Sequence, residues 1–151
     1  MAFPVPAFAP DIIRQITEAV PQLTALGATV LRVEHRRTAL RLDWREDLVG
    51  DPWSGLLHGG VITTLLDSAS GMASLSSAGA VMQIATLDLR IDYLRPARPR
   101  EAVIAEAECY HMTRSIAFVR GHAYHEDGTE IATSTAAFML QSSALPAGTK
   151  P

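Results

Sequence analysis

A chain of 151 residues with 48% apolar and 19% charged side chains fits one domain with a proper core rather than two. Thirteen basic residues against sixteen acidic ones give a net charge of −3 without any block of like charge, which excludes a nucleic-acid scaffold or membrane-surface helix and favours small-molecule partners. The charged fraction lies below the roughly 25% usual in soluble proteins, so part of the surface is expected to be buried against another copy of the chain, and the single Cys109 excludes an internal disulfide.

No Cys-x-x-Cys is present for zinc or redox work, and a reducing cytoplasm is the expected location. The first ten residues hold three prolines and no basic residue, so they do not read as a secretory signal. No apolar run approaches the roughly 18 residues of a membrane span. Asp11 after Pro10 is predicted to cap a helix that carries Ile12, Ile13, Ile16 and Val20 and ends near Pro21. From Ala28 the pattern turns to strand: Val30, Leu31 and Val33, a charged turn at His35-Arg36-Arg37, then the alternation Leu40, Leu42, Trp44. That reads as a hairpin. Residues 45–57, with Gly50, Asp51, Pro52, Ser54 and Gly55, read as a loop leading to a glycine pair, Gly59-Gly60.

Residues 59–78 are predicted to be helical, with two stripes. Val61, Leu65, Ala69, Met72 and Leu75 mark an apolar face, while Gly60, Thr63, Thr64, Asp67, Ser70, Gly71 and Ser74 mark another at the same spacing. A solvated face would carry Lys, Glu and Arg; small residues of poor helix propensity imply enclosure by neighbouring elements or a second subunit. Four strands follow at about residues 85–93, 101–111, 115–125 and 130–141, and a meander is the simplest connection. In the first of them Ala85, Leu87, Leu89, Ile91 and Tyr93 are expected on one face and Thr86, Asp88, Arg90 and Asp92 on the other. The tail from Ser142 is expected to be poorly ordered. An α+β fold results, an antiparallel sheet packed on one long helix with an N-terminal helix beside it, whose other sheet face needs cover.

Chemistry concentrates at His58-Gly59-Gly60 and Asp67. A helix N-terminus that begins with glycine offers bare N–H groups to a developing oxyanion. Asp67, two turns on, is expected to display a carboxylate toward whatever that terminus holds. His58 is read as a hydrogen-bonding group at the helix entry rather than as a base. Trp53 either lines an acyl pocket or pins its loop. No Lys-Ser/Thr follows the glycines as in a phosphate-binding loop, and no Gly-x-Ser-x-Gly elbow is present. His122 and His125 on one strand point to opposite faces, and Cys109 with His111 lacks a third orienting group, so no metal site is expected.

His58-Gly59-Gly60-x6-Asp67-x3-Gly71, then Thr86-x-Asp88-Leu89 and Tyr93-Leu94-Arg95-Pro96, resemble the hotdog-fold acyl-CoA thioesterases of the phenylacetate-type (PaaI) group. The resemblance spans about residues 26–140. It implies a hotdog subunit whose sheet wraps the long helix, paired into a homodimer with active sites at the interface, two dimers forming a tetramer. It further implies that Asp67 is general base or nucleophile, that the Gly59 N–H polarises the thioester carbonyl with Gly60 beside it, and that Thr86 of the partner subunit orients water. The implied substrate is a small or medium acyl- or aryl-CoA, with no cofactor beyond the coenzyme A it carries. Arg95, Arg98, Arg100 and Arg114 are assigned to the coenzyme A phosphates. Two departures stand out. Where relatives carry an asparagine before His-Gly-Gly this chain has Asp51, which cannot donate the same bond when ionised, and Thr113-Arg114-Ser115 lacks the glycine of the family pattern. A non-catalytic acyl-CoA or aromatic-ligand binder is the alternative on the same scaffold.

Overall fold

The computed structural model describes residues 10–79 and 82–142, so the first nine residues and the tail beyond residue 142 lie outside it. Helix α1 (Pro10–Glu18) buries Ile13 and Thr17. Asp11 sits inside its first turn rather than at the cap, where its charge still complements the helix dipole. A second helix, α2 (Pro21–Leu26), begins at the proline expected to end the first. Proline suits the first position of a helix as well as it stops one, and Gly27, at φ 75°, closes α2 in the left-handed conformation.

Strands β1 (Thr29–Glu34) and β2 (Arg37–Leu42) form the expected hairpin. The expected loop is partly ordered: a 3-10 turn at Glu46–Leu48 leads into a two-stranded ribbon of β3 (Val49–Asp51) and β4 (Leu56–Leu57). Helix α3 spans Gly59–Ala78, and β5 (Met82–Tyr93), β6 (Val103–Met112), β7 (Ile116–Tyr124) and β8 (Glu130–Ser142) complete the chain. The six-stranded antiparallel sheet runs β1-β2-β6-β7-β8-β5. Only β6-β7-β8 is a meander. β5 sits at the far edge against β8, because residues 94–102, with Pro96 and Pro99, are too long and too proline-rich for a hairpin turn to β6.

The sheet curls around α3, which touches all six strands. Many helix-facing positions of the central strands are small: Ala105 and Ala107 on β6, Ala117 and Gly121 on β7, Ala132 and Ala136 on β8. A side chain at Gly121 would collide with the Ser134 Oγ at 2.5 Å and Leu66 at 3.2 Å, so glycine there lets the helix settle against the sheet. Ser70, Gly71 and Ser74 of the small stripe are buried, and the Thr38 hydroxyl of β2 donates to the Ala69 carbonyl at 2.7 Å. Leu65 is fully buried beneath this wrap. Leu65→Ala is expected to lower stability by about 2–5 kcal/mol in urea denaturation, with an unchanged slope.

The outer face of the sheet carries charged pairs. Arg37–Glu108 at 3.1 Å bridges β2 and β6, Arg32–Glu106 at 2.8 Å reaches from β1 across β2 to β6, and the Arg120 guanidinium lies 4.2 Å from the centre of the Tyr110 ring. Of the two edge strands, β1 and β5, the twelve-residue β5 leaves the longer free edge.

Candidate active site

The first turn of α3 is held from three sides. His58 caps it, its Nδ1 accepting from the Gly60 N–H at 2.9 Å, while its own carbonyl accepts from the Val61 N–H at 2.9 Å. An Nδ1 that accepts leaves any ring proton of the neutral imidazole on Nε2. The Tyr93 hydroxyl at the end of β5 donates to the Gly59 carbonyl at 2.8 Å and lies 2.8 Å from the Thr63 Oγ1. Behind the turn, Gly50 of β3 approaches so closely that an added Cβ would stand 2.8 Å from the His58 Cα. The Gly59 N–H remains without an acceptor among the described residues and faces an exposed surface.

Asp67 is half-buried on α3, and its Oδ1 accepts from the Thr86 hydroxyl at 2.9 Å. The hydroxyl in this bond belongs to the same chain, whereas the resemblance implied Thr86 of the opposite subunit. A β-bulge brings it there. Thr86 pairs with Phe138 and Asp88 with Ala137, so Leu87 is the extra residue of the strand. Before the bulge Ile84 and Thr86 face α3; after it Leu89, Ile91 and Tyr93 do. Unbroken alternation would have turned Thr86 away from the helix. The Asp67 Oδ1 is thus oriented, and Oδ2 has no partner among the described residues.

One expectation about geometry fails. Eight residues of helix separate Gly59 from Asp67, about 12 Å of axial rise, so the amide and the carboxylate of one chain do not converge on one carbon.

Asp51 turns inward on its own loop. Its Oδ1 accepts from the Trp53 N–H at 3.2 Å and its Oδ2 from the Ser54 hydroxyl, and these two bonds, the hydroxyl's foremost, hold the carboxyl below its ordinary pKa. Trp53 stands 94% exposed at the tip of the ribbon. Trp44 pins the loop instead, its indole N–H donating to the Gly55 carbonyl at 2.9 Å.

The arginines occupy separate places. Arg98 binds Glu101 at 2.6 Å and Asp127 at 2.7 Å, joining the β5–β6 connection to the β7–β8 turn and holding the Asp127 carboxyl well below its usual range. Arg95 and Arg114 are exposed. Arg95 adjoins Ile131, while the residue after Arg114 pairs with Leu140. Nine residues of β8 separate those points, about 30 Å of strand. Gly50 and Tyr93 fix the α3 terminus; sequence alone places Gly50 in a loop and Tyr93 in the family motif but gives neither a role at this site.

Other histidines are engaged in the frame. His122 lies 3.0 Å from Glu130, and buried His125 accepts the Arg98 N–H at 3.0 Å. Among the described residues no cluster of three or more His, Cys, Asp or Glu side chains could hold a metal ion, and no helix is long and apolar enough to cross a membrane.

Residues 54–132 match the model of the thioesterase superfamily. The medium/long-chain acyl-CoA thioesterase YigI of Escherichia coli K12 is 30% identical over 134 residues, 80% of this chain and 86% of that protein. A crystal structure of a Pseudomonas aeruginosa protein, 39% identical, superposes with a TM-score of 0.77 over 86% of this chain and 97% of that one. The E. coli PaaI protein from the phenylacetic acid degradation operon shares the fold at 17% identity, with a TM-score of 0.76 over 83% of this chain and 88% of its own.

Proposed function

The chain belongs to the thioesterase superfamily, with the hotdog fold, and from that membership we propose that it hydrolyses small or medium acyl-CoA thioesters at a site shared by two copies. It is a thioester hydrolase. The observation that carries the reading of the site is the Thr86–Asp67 hydrogen bond, which holds one carboxylate oxygen and leaves the other for water. Asp67 takes a proton from that water as its oxygen attacks the thioester carbonyl. The oxyanion of the tetrahedral intermediate is held by the Gly59 N–H of the second copy, since the Gly59 of the same chain is too far along the helix. Collapse breaks the C–S bond, the departing thiolate takes up the proton held by Asp67, and the product acid gives its own proton to solvent and leaves as carboxylate. Because a thiolate leaves readily, an aspartate suffices as base and no metal or cofactor is called for. Direct attack by Asp67 through an anhydride uses the same groups.

The open edge of β5 supports pairing of two copies, for it carries Thr86 and Tyr93 and presents unpaired backbone groups along its length. A dimer of such dimers, with Arg95 or Arg114 near the coenzyme A phosphates, completes the arrangement. A reducing cytoplasm suits the single buried Cys109. A ligand binder without turnover has no use for a carboxylate oriented on one oxygen and open on the other.

Release of free thiol from a panel of acyl-CoAs tests the reaction directly, and a panel that yields none refutes it. Thr86→Val, which keeps the shape and loses the donor, is expected to lower kcat about ten- to a hundredfold with little change in KM.

A further inference from the structure

We infer that the acyl chain of the substrate enters an apolar cleft that begins at Asp67 and Thr86 and runs beneath α1 and α2, and that this cleft measures unbranched chains. The inference deepens the thioesterase reading and rests on it. A cavity of about 350 Å³ opens beside Asp67 and Thr86, the two polar groups already placed at the reacting carbon. From there it follows α3 past Gly71 and Leu75, one and two turns beyond the acid, or about 12 Å. On the opposite wall Ile84 and Met82 descend from Thr86 at alternate positions, about 13 Å of strand. Ile16 and Val20 close the third side and remain 38% exposed each, apolar side chains facing a space that no described residue fills.

Gly71 sets how closely one wall of this cleft approaches α3. A Cβ there would lie 3.0 Å from the Ile84 Cδ1 and 3.6 Å from the Phe138 ring, so a side chain at this position must displace Ile84, a wall residue, one turn below the carboxylate. The glycine of the motif therefore has a steric task separate from the oxyanion amide. Carbon–carbon bonds of about 1.5 Å in a zigzag advance about 1.25 Å per methylene, so 12 Å accommodates about eight to ten carbons. Each methylene moved from water into such a space strengthens binding about fourfold. An aryl group would fill only the first turn and forgo most of that gain.

The test is a straight-chain series from acetyl- to hexadecanoyl-CoA, with phenylacetyl-CoA, read as kcat/KM by thiol release. The wild type is expected to rise with length to about eight to ten carbons and then level or fall. Gly71→Val, which displaces the Ile84 wall, and Val20→Trp, on the half-exposed side, are each expected to lower the decanoyl-to-butyryl ratio of kcat/KM about tenfold or more. Val20→Trp keeps the test open if Gly71→Val does not fold. Ratios unmoved in the folded variants, or a preference for phenylacetyl-CoA, overturn the gauge. Turnover of no member overturns the thioesterase reading instead. In that event the inert thioethers S-ethyl- and S-decyl-CoA decide the cleft by calorimetry: decyl binding at least about a hundredfold tighter, reduced by Val20→Trp, supports it, and a smaller difference refutes it.

Discussion

Asp67→Ala is expected to lower kcat for every acyl-CoA by about 10³–10⁴ while leaving the urea midpoint nearly unchanged. The carboxylate is half-buried and its only bond among the described residues is to an exposed threonine hydroxyl, which water can satisfy after the substitution. No packed atom of the core depends on it. Asp67→Asn, with the same outline and no basic oxygen, is expected to lose as much, and a variant within about tenfold of wild type would remove Asp67 from the chemistry. The comparison with Thr86→Val is informative in turn. The hydroxyl orients and the carboxylate reacts, so the aspartate variants should lie well below the threonine variant on the same substrate.

Two inactive variants mixed together are expected to recover activity. Gly50→Ala drives a carbon to 2.8 Å from the His58 Cα, where only movement of the backbone can relieve it, and the displaced Gly59 amide should cost about a hundredfold in kcat. That copy still carries a sound Asp67 and Thr86, whereas an Asp67→Ala copy still carries a sound Gly59. If each site takes its amide from one copy and its acid from the other, a mixed dimer holds one intact site. Co-refolding equal amounts makes half of the dimers mixed, so about one quarter of wild-type activity should return. No recovery would mean that the amide and the acid act within one chain or that Gly59 has no part.

Much of this molecule was legible from local pattern. The α3 boundaries followed from a glycine entry and a helical period, and the β1–β2 hairpin from its charged turn. What escaped depended on single residues with two meanings or on contacts distant in sequence. Pro21 served as a helix start as well as a stop, which hid α2. The sheet order was hidden because nothing local in β5 says that β8, some fifty residues on, is its partner. The face of Thr86 was misjudged because one extra residue, Leu87, resets the alternation, and a period of two carries no mark of where it slips. His58 was readable as a cap from its place before Gly59-Gly60. Asp51 was not readable as a loop staple, because that role depends on how Ser54 and Trp53 turn back toward it.

The order in which the chain leaves the ribosome follows from the wrapping of α3. At about 5–20 residues per second, this helix of modest propensity emerges seconds before β6, β7 and β8, the strands that enclose it. Until Glu130–Ser142 has been synthesised, β5 has no neighbour on either side within the chain, and the sheet around α3 lacks β8 and the strand that β8 holds in place. Nascent chains stalled before residue 130 are therefore expected to be degraded rapidly by protease, and those extended past 142 and clear of the exit tunnel to be resistant.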